Sequence, residues 1–160
     1  MTMRVGLGFD VHSLGDGPPL ILGGVTIPYH AGLIGHSDGD VLTHAVIDAL
    51  LGSVALGDIG THFPSGDPQY RDARSLLLLT SSVETLRLSR WQLMNLDATI
   101  VAERPHLEPY MFEIRQSLAS VLHVEIGAVS VKATTTDGIG SIGNGEGIAA
   151  HAVVTVEAIR

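Results

Sequence analysis

The sequence contains no cysteine. Disulfides, thiolate nucleophiles and cysteine-ligated zinc sites are thereby excluded, and the redox compartment is left open. Charge is scarce as well: Asp, Glu, Lys and Arg make up 16% of the 160 residues, and 17 acidic against 9 basic side chains give a formal charge of −8. So few cations argue against a nucleic-acid partner or an anionic membrane, both of which call for basic patches. No apolar run approaches the ~20 residues that span a bilayer. The segment from Met1 to Asp10 has no charged stretch followed by an apolar one, so no signal peptide is expected. The expected location is cytoplasmic, although a trimmed plastid protein would read the same way. An anionic surplus is awkward for an anionic substrate, and a bound metal ion is one common remedy.

What is present is a chain 45% hydrophobic with 19 glycines. That length suits one domain, residues 1–160, with a real core. Low charge and many small residues suggest further surface buried between subunits, and a compact monomer would look similar. Val5, Leu7 and Phe9 alternate as a first strand, and Leu20 to Ile27 reads as a short hairpin after the turn cluster 15–19. Asp38 or Ser37 can cap a helix whose apolar face includes Val41, Ala45, Ile47, Leu50 and Leu51. Residues 57–69 form a long loop of the kind that often carries function. A helix follows over Ser75 to Leu88, a strand over Leu93 to Glu103, and a third helix from Pro109. Two last strands, Val129 to Thr135 and Ile148 to Ile159, flank a glycine-rich loop. The pattern predicts an α+β domain with a mixed sheet of four or five strands.

Asp10 and His12 are two apart at a strand end, so both project from one face and can reach one cation. A polar pair facing water would look alike. Asp40, His44 and Asp48 are four apart on one helical face. There a histidine can offer one ring nitrogen to a metal while a neighbouring carboxylate holds the other, or the three form a solvated stripe with capping acids. Asp10, His12 and His44 together would give zinc three ligands and one open position, as in catalytic zinc sites. Two glycine-bearing segments are backbone geometry instead of phosphate cradles: 137–147 lacks the Gly-Lys-Ser/Thr ending of a P-loop, and Gly6-Leu7-Gly8 lacks a third glycine. Lys132 to Thr136 could hold a phosphate or base, but threonine enrichment is also plain strand propensity.

Taken together, Gly8-Phe9-Asp10-Val11-His12, His36-Ser37-Asp38-Gly39-Asp40 with His44, Gly57-Asp58-Ile59-Gly60, Phe63-Pro64, Lys132 to Thr136 and Gly145 to Ala149 resemble the cyclodiphosphate synthase family in order and spacing. The match runs from about residue 3 to the C-terminus. It implies a phosphorus–oxygen lyase of the non-mevalonate isoprenoid route. Such an enzyme turns 4-diphosphocytidyl-2-C-methyl-D-erythritol 2-phosphate into the cyclic diphosphate and CMP. It further implies a homotrimer around a sheet-lined core, with helices on one face of each sheet and active sites between subunits. By motif, Asp10, His12 and His44 correspond to zinc ligands, and Asp10 and His12 also border the substrate. His36 and Ser37 correspond to substrate contacts, His36 and Thr135 to transition-state stabilisers. Asp58, Ile59 and Gly60 match the hydroxyl-binding loop, and Phe63 to Asp67 the segment over the erythritol. Ala102, Pro105, Leu107, Ala133, Thr134 and Thr135 match the cytidine pocket. A magnesium or manganese ion would bridge the substrate's diphosphate near Asp137, where the family usually has glutamate. His106 stands in place of a lysine, Ser141 of an aromatic and Asn144 of an arginine. Two readings compete with turnover: a trimer that binds metal and cytidine nucleotide with little catalysis, and a zinc-dependent phosphohydrolase, for which no positioned base is identifiable.

Overall fold

The computed structural model describes residues 2–159; Met1 and Arg160, the ends of the expected 1–160 span, lie outside it. Strand β1 (Met3–Gly15) leads into a hairpin of β2 (Leu20–Leu22) and β3 (Val25–Ile27) and a short β4 (Gly32–Leu33). Helix α1 (Val41–Ser53), a single turn α2 (Ile59–His62) and helix α3 (Ser75–Leu88) precede β5 (Trp91–Val101). Helix α4 (Met111–Leu122), β6 (Val129–Thr134), the turn α5 (Gly140–Gly143) and β7 (Gly147–Ala158) complete the chain. The main sheet has the order β4-β1-β7-β5-β6. It is mixed: β5 and β6 run parallel, whereas β1–β4, β1–β7 and β5–β7 are antiparallel.

The strand alternation of two sorts the side chains of β1 onto two faces. Gly6 and Gly8 are buried on the side that carries α1, and Asp10 and His12 follow on that same side at the rim. Leu96, Ala98 and Ile100 of β5, Val129 and Val131 of β6 and Ile148 to Val156 of β7 bury their inward positions against the helices. The opposite face keeps Met3, Val5, Leu7, Phe9 and Val11 at 50–69% exposure. The helices therefore cover one face of the sheet, and an apolar strip of β1 is left open on the other.

Alpha-helix α1 lies on β1 with no side chain between them. A Cβ added to Gly8 would sit 1.8 Å from the carbonyl oxygen of Ala45, and one on Gly6 would sit 1.9 Å from that of Ala49. The cap of α1 differs from the expected Asp38 or Ser37. Asp40 immediately precedes the first helical residue, and its carboxylate accepts Thr43 N (3.0 Å) and Thr43 Oγ1 (2.7 Å). It also accepts Gly23 N (2.9 Å) and Gly24 N (2.7 Å) from the β2–β3 turn. Both glycines have positive φ, 59° and 75°, which turns their amides towards one acceptor. Burial pushes the Asp40 carboxyl up from its ordinary pKa, opposed by these hydrogen bonds. Two smaller expectations also shift: Pro109 belongs to a 3₁₀ turn (Glu108–Tyr110) ahead of α4, and β1 extends well beyond Val5–Phe9.

Gly8→Ala must force α1 away from the sheet. Overpacking of this kind costs about 2 kcal/mol, and the midpoint of thermal unfolding should fall by roughly 4–8 °C for a chain of this size. Calorimetry of the two proteins checks it.

Candidate metal centre and flanking pockets

Asp10 and His12 arrive from β1, and His44 from the first turns of α1, which the two glycines hold against that strand. Asp10 Oδ2 lies 2.9 Å from His12 Nε2 and 3.0 Å from His44 Nδ1. One ligand atom from each of the three falls within 4.8 Å of the others. Two imidazoles and a carboxylate are a zinc-type donor set. Asp10 Oδ1 is occupied by Val11 N at 2.9 Å, so Oδ2 is the oxygen facing the histidines. Burial pushes the Asp10 carboxyl up, but hydrogen bonds to His12 and His44 outweigh it and hold the group well below the usual carboxylate range. The hydrogen bond to Asp10 raises His12 above its ordinary value, against its own partial burial. A carboxylate pinched between two imidazoles calls for a positive charge in the gap, either a proton or a metal ion. The residues fit a divalent cation.

The sequence suggested a neighbouring carboxylate on α1 behind the other nitrogen of His44. The structure puts hydroxyls there: His44 Nε2 lies 2.9 Å from Ser75 Oγ and 3.0 Å from Ser37 Oγ. Asp40 is committed to its cap, and Asp48 accepts Ile59 N at 2.7 Å, fastening the 57–63 loop to α1. Asp48 is raised by burial. Ser75 was not legible as a site residue because a serine opening a helix reads as an ordinary first-turn residue.

A pocket of about 280 Å³ adjoins the three ligands and is lined by His36, Ser37, Ile59, Gly60 and Phe63, with Ser65, Tyr70 and Leu78 besides. Phe63 meets Tyr70 edge-on, with ring centroids 5.4 Å apart. Asp58 caps α2 through Thr61 N (2.8 Å), and Thr61 N and Oγ1 lower its pKa. Asp67 caps the following turn, and its carbonyl lies 3.4 Å from His36 Nε2. A second pocket of about 650 Å³ is lined by Ala102 to Glu108 and Val131 to Thr135. It contains Ala102, Pro105, Leu107, Ala133, Thr134 and Thr135, together with His106, which sits 3.3 Å from Glu108. Asp137, in the left-handed region at φ 52°, accepts the Thr135 hydroxyl at 3.2 Å. The Asn144 amide lies 3.4 Å from Glu146. His36 and Thr135 thus line different pockets of one chain.

An α+β chain with a His₂Asp cation centre at a strand–helix junction, and a larger polar-and-apolar pocket elsewhere, defines a metal-dependent class acting on a ligand of some size. The chain matches the YgbB family over residues 3–157 and belongs to it. It is 56% identical over 155 residues to the 2-C-methyl-D-erythritol 2,4-cyclodiphosphate synthase of Syntrophomonas wolfei, covering 97% of this chain and 99% of that protein. A solved structure described as the CDP-bound form of a 2C-methyl-D-erythritol-2,4-cyclodiphosphate synthase superposes with a TM-score of 0.89 at 33% identity, over 96% of this chain and 100% of the other. The bifunctional IspDF of Campylobacter jejuni superposes with a TM-score of 0.96 at 38% identity, over 99% of this chain and 43% of that longer one.

Because Asp10 favours a proton on His12, protons compete with metal near neutrality. Asp10 stays ionised throughout, so the dependence runs through His12. Apparent zinc affinity should rise by about tenfold or more from pH 6 to pH 8, as competition titration with a chelating indicator will measure.

Proposed function

We propose that this protein is a cyclodiphosphate synthase, converting 4-diphosphocytidyl-2-C-methyl-D-erythritol 2-phosphate to 2-C-methyl-D-erythritol 2,4-cyclodiphosphate and CMP. The observation that carries the reading is the Asp10, His12 and His44 cluster, found in a chain of this family beside a pocket lined by His36, Ser37 and Gly60. In the proposed reaction an oxygen of the substrate's 2-phosphate attacks the β-phosphorus. The bond from that phosphorus to the bridging oxygen breaks, and CMP leaves with the electron pair. Both ends belong to one molecule and the nucleophile is already ionised, so positioning replaces an activated base. That absence of a base also sets the reading apart from a phosphohydrolase.

Within it, Asp10, His12 and His44 hold zinc, which when bound supplies charge stabilisation at a phosphate oxygen. Asp58, Ile59 and Gly60 orient the erythritol hydroxyls, and Phe63 to Asp67 exclude water over them. His36 and Thr135 donate hydrogen bonds to developing charge. Ala102, Pro105, Leu107, Ala133 and Thr134 take the cytidine. Asp137 faces the diphosphate and a magnesium or manganese ion. The whole chain acts as one domain, cytoplasmic in location and classed as a phosphorus–oxygen lyase.

The assembly we propose is a homotrimer. Support comes from the exposed strip Met3, Val5, Leu7, Phe9 and Val11, and from the separation of His36 and Thr135 onto different pockets. Solution mass measurement should give three chains per particle; a stable, active monomer would overturn both the assembly and the shared site.

Incubation with the diphosphocytidyl substrate, zinc and magnesium, followed by phosphorus NMR, should show the cyclic diphosphate. CMP binding without product favours the non-catalytic alternative. His44→Ala should keep its fold by circular dichroism yet lose bound zinc and nearly all turnover.

A further inference from the structure

His44 is the candidate ligand whose outer nitrogen is held. Among the described residues His12 Nδ1 is buried without a hydrogen-bond partner, whereas His44 Nε2 contacts the hydroxyls of Ser75 and Ser37. Distance alone does not say which atom of each contact donates. The polarity is fixed one step further out. Asp38 Oδ1 accepts the Ser75 hydroxyl, and Asp38 Oδ2 accepts the Ser75 amide at 3.0 Å. A carboxylate offers acceptors only, so the single hydroxyl proton of Ser75 is spent on Asp38. Ser75 Oγ then has only lone pairs for His44, and Nε2 must donate. A neutral imidazole carries one N–H, so when a cation replaces the proton between Nδ1 and Asp10 Oδ2 (3.0 Å), the ring keeps its N–H on Nε2 and turns the Nδ1 lone pair to that gap.

We propose that Asp38 and Ser75 are positioning residues that commit His44 to the Nε2–H tautomer and so to metal ligation through Nδ1. The proposal rests on the zinc centre inferred above. Its parts are built for the task. Ser75 is 0% exposed although it begins a helix. Arg74 supplies no side-chain cap to α3, and Asp38 reaches in from a separate loop to take that role. The loop is pinned by Asp38 N to Ala73 O (3.1 Å) and Asp72 N to His36 O (2.9 Å). Ser37 Oγ, 3.0 Å from His44 Nε2, accepts as a second partner and keeps its own proton for Ser75 Oγ at 3.3 Å or for a ligand. The chain thus carries orientation from a carboxylate through a hydroxyl and an imidazole to the cation.

The test uses the full chain with two variants and a control. Ser75→Ala removes the acceptor whose polarity Asp38 fixes and leaves only the Ser37 hydroxyl, which can donate or accept. Asp38→Asn keeps the shape but can donate to Ser75 Oγ, freeing the hydroxyl proton to point at His44 and reversing the polarity. Leu79→Ala, also buried on α3, removes packing from the same helix and none of the relay's hydrogen-bonding groups. Zinc affinity is measured by chelator competition, and ¹⁵N NMR of histidine-labelled protein reads which nitrogen carries the proton. The wild type should show His44 with a slowly exchanging Nε2–H and the metal on Nδ1. Ser75→Ala and Asp38→Asn should bind zinc about 10- to 100-fold more weakly, the usual effect of losing an outer partner, while Leu79→Ala stays within about threefold. Should Ser75→Ala fail to fold, Asp38→Asn decides. Equal affinity in the relay variants, an equal loss in Leu79→Ala, or ligation through Nε2 overturns the proposal. If the wild type takes no zinc, the metal centre falls separately; the tautomer is still read in the metal-free protein, where a His44 lacking Nε2–H sinks this one.

Discussion

The candidate centre depends on the absence of side chains between β1 and α1. Gly6 and Gly8 let the helix backbone descend onto the strand until the Ala45 carbonyl occupies the space of a missing Cβ. Asp10 and His12 continue the same strand face, so the helix that fills the glycine floor delivers His44 beside them. Packing and site are therefore one constraint. A helix held further out would separate His44 from Asp10, and three ligands from two elements would no longer converge.

The same, N-terminal end of α1 is anchored by Asp40, which joins the helix start to the β2–β3 turn with four hydrogen bonds. Burying a carboxylate is costly, and the cost is tolerable only when its lone pairs are filled. Here they are filled by donors that are themselves hard to satisfy otherwise: turn amides with left-handed backbones and a first-turn amide of a helix. The cap thereby sets the height of α1 along β1, and the glycines set its depth.

Much of this was readable. Asp10 and His12 followed from strand alternation, and the reading of Gly6-Leu7-Gly8 as backbone geometry matches the floor under α1. The sheet, the three long helices and the long connection after Gly57 were legible from periodicity and turn residues. What stayed hidden depends on long-range contact. Periodicity put Asp40, His44 and Asp48 on one face, but could not tell that Asp40 turns to glycines 16 and 17 residues earlier and Asp48 to the amide of Ile59. Ser75 is 31 residues from His44, and no local pattern distinguishes it from the other serines. The outward Val5, Leu7 and Phe9 show the same limit: alternation identifies two faces, but not which one the helices cover.

An acidic chain poses a problem for any phosphate-bearing ligand, and the hydrogen bonds show how the charge is managed. Around the centre, Asp38 gives its oxygens to the amide and hydroxyl of Ser75, Asp40 to the turn glycines and Thr43, and Asp48 to Ile59. Asp58 and Asp67 likewise cap their own turns through Thr61 and Gln69. Each carboxylate is thus turned towards N–H dipoles that offset its negative potential locally. Asp10 spends Oδ1 on Val11 in the same way, but Oδ2 faces two imidazoles and no amide. The negative charge not met by an amide thus faces the imidazoles from one oxygen, in the gap where a cation would sit. A cation there would reverse the local sign and give an anion a favourable point of attachment in a protein of net charge −8.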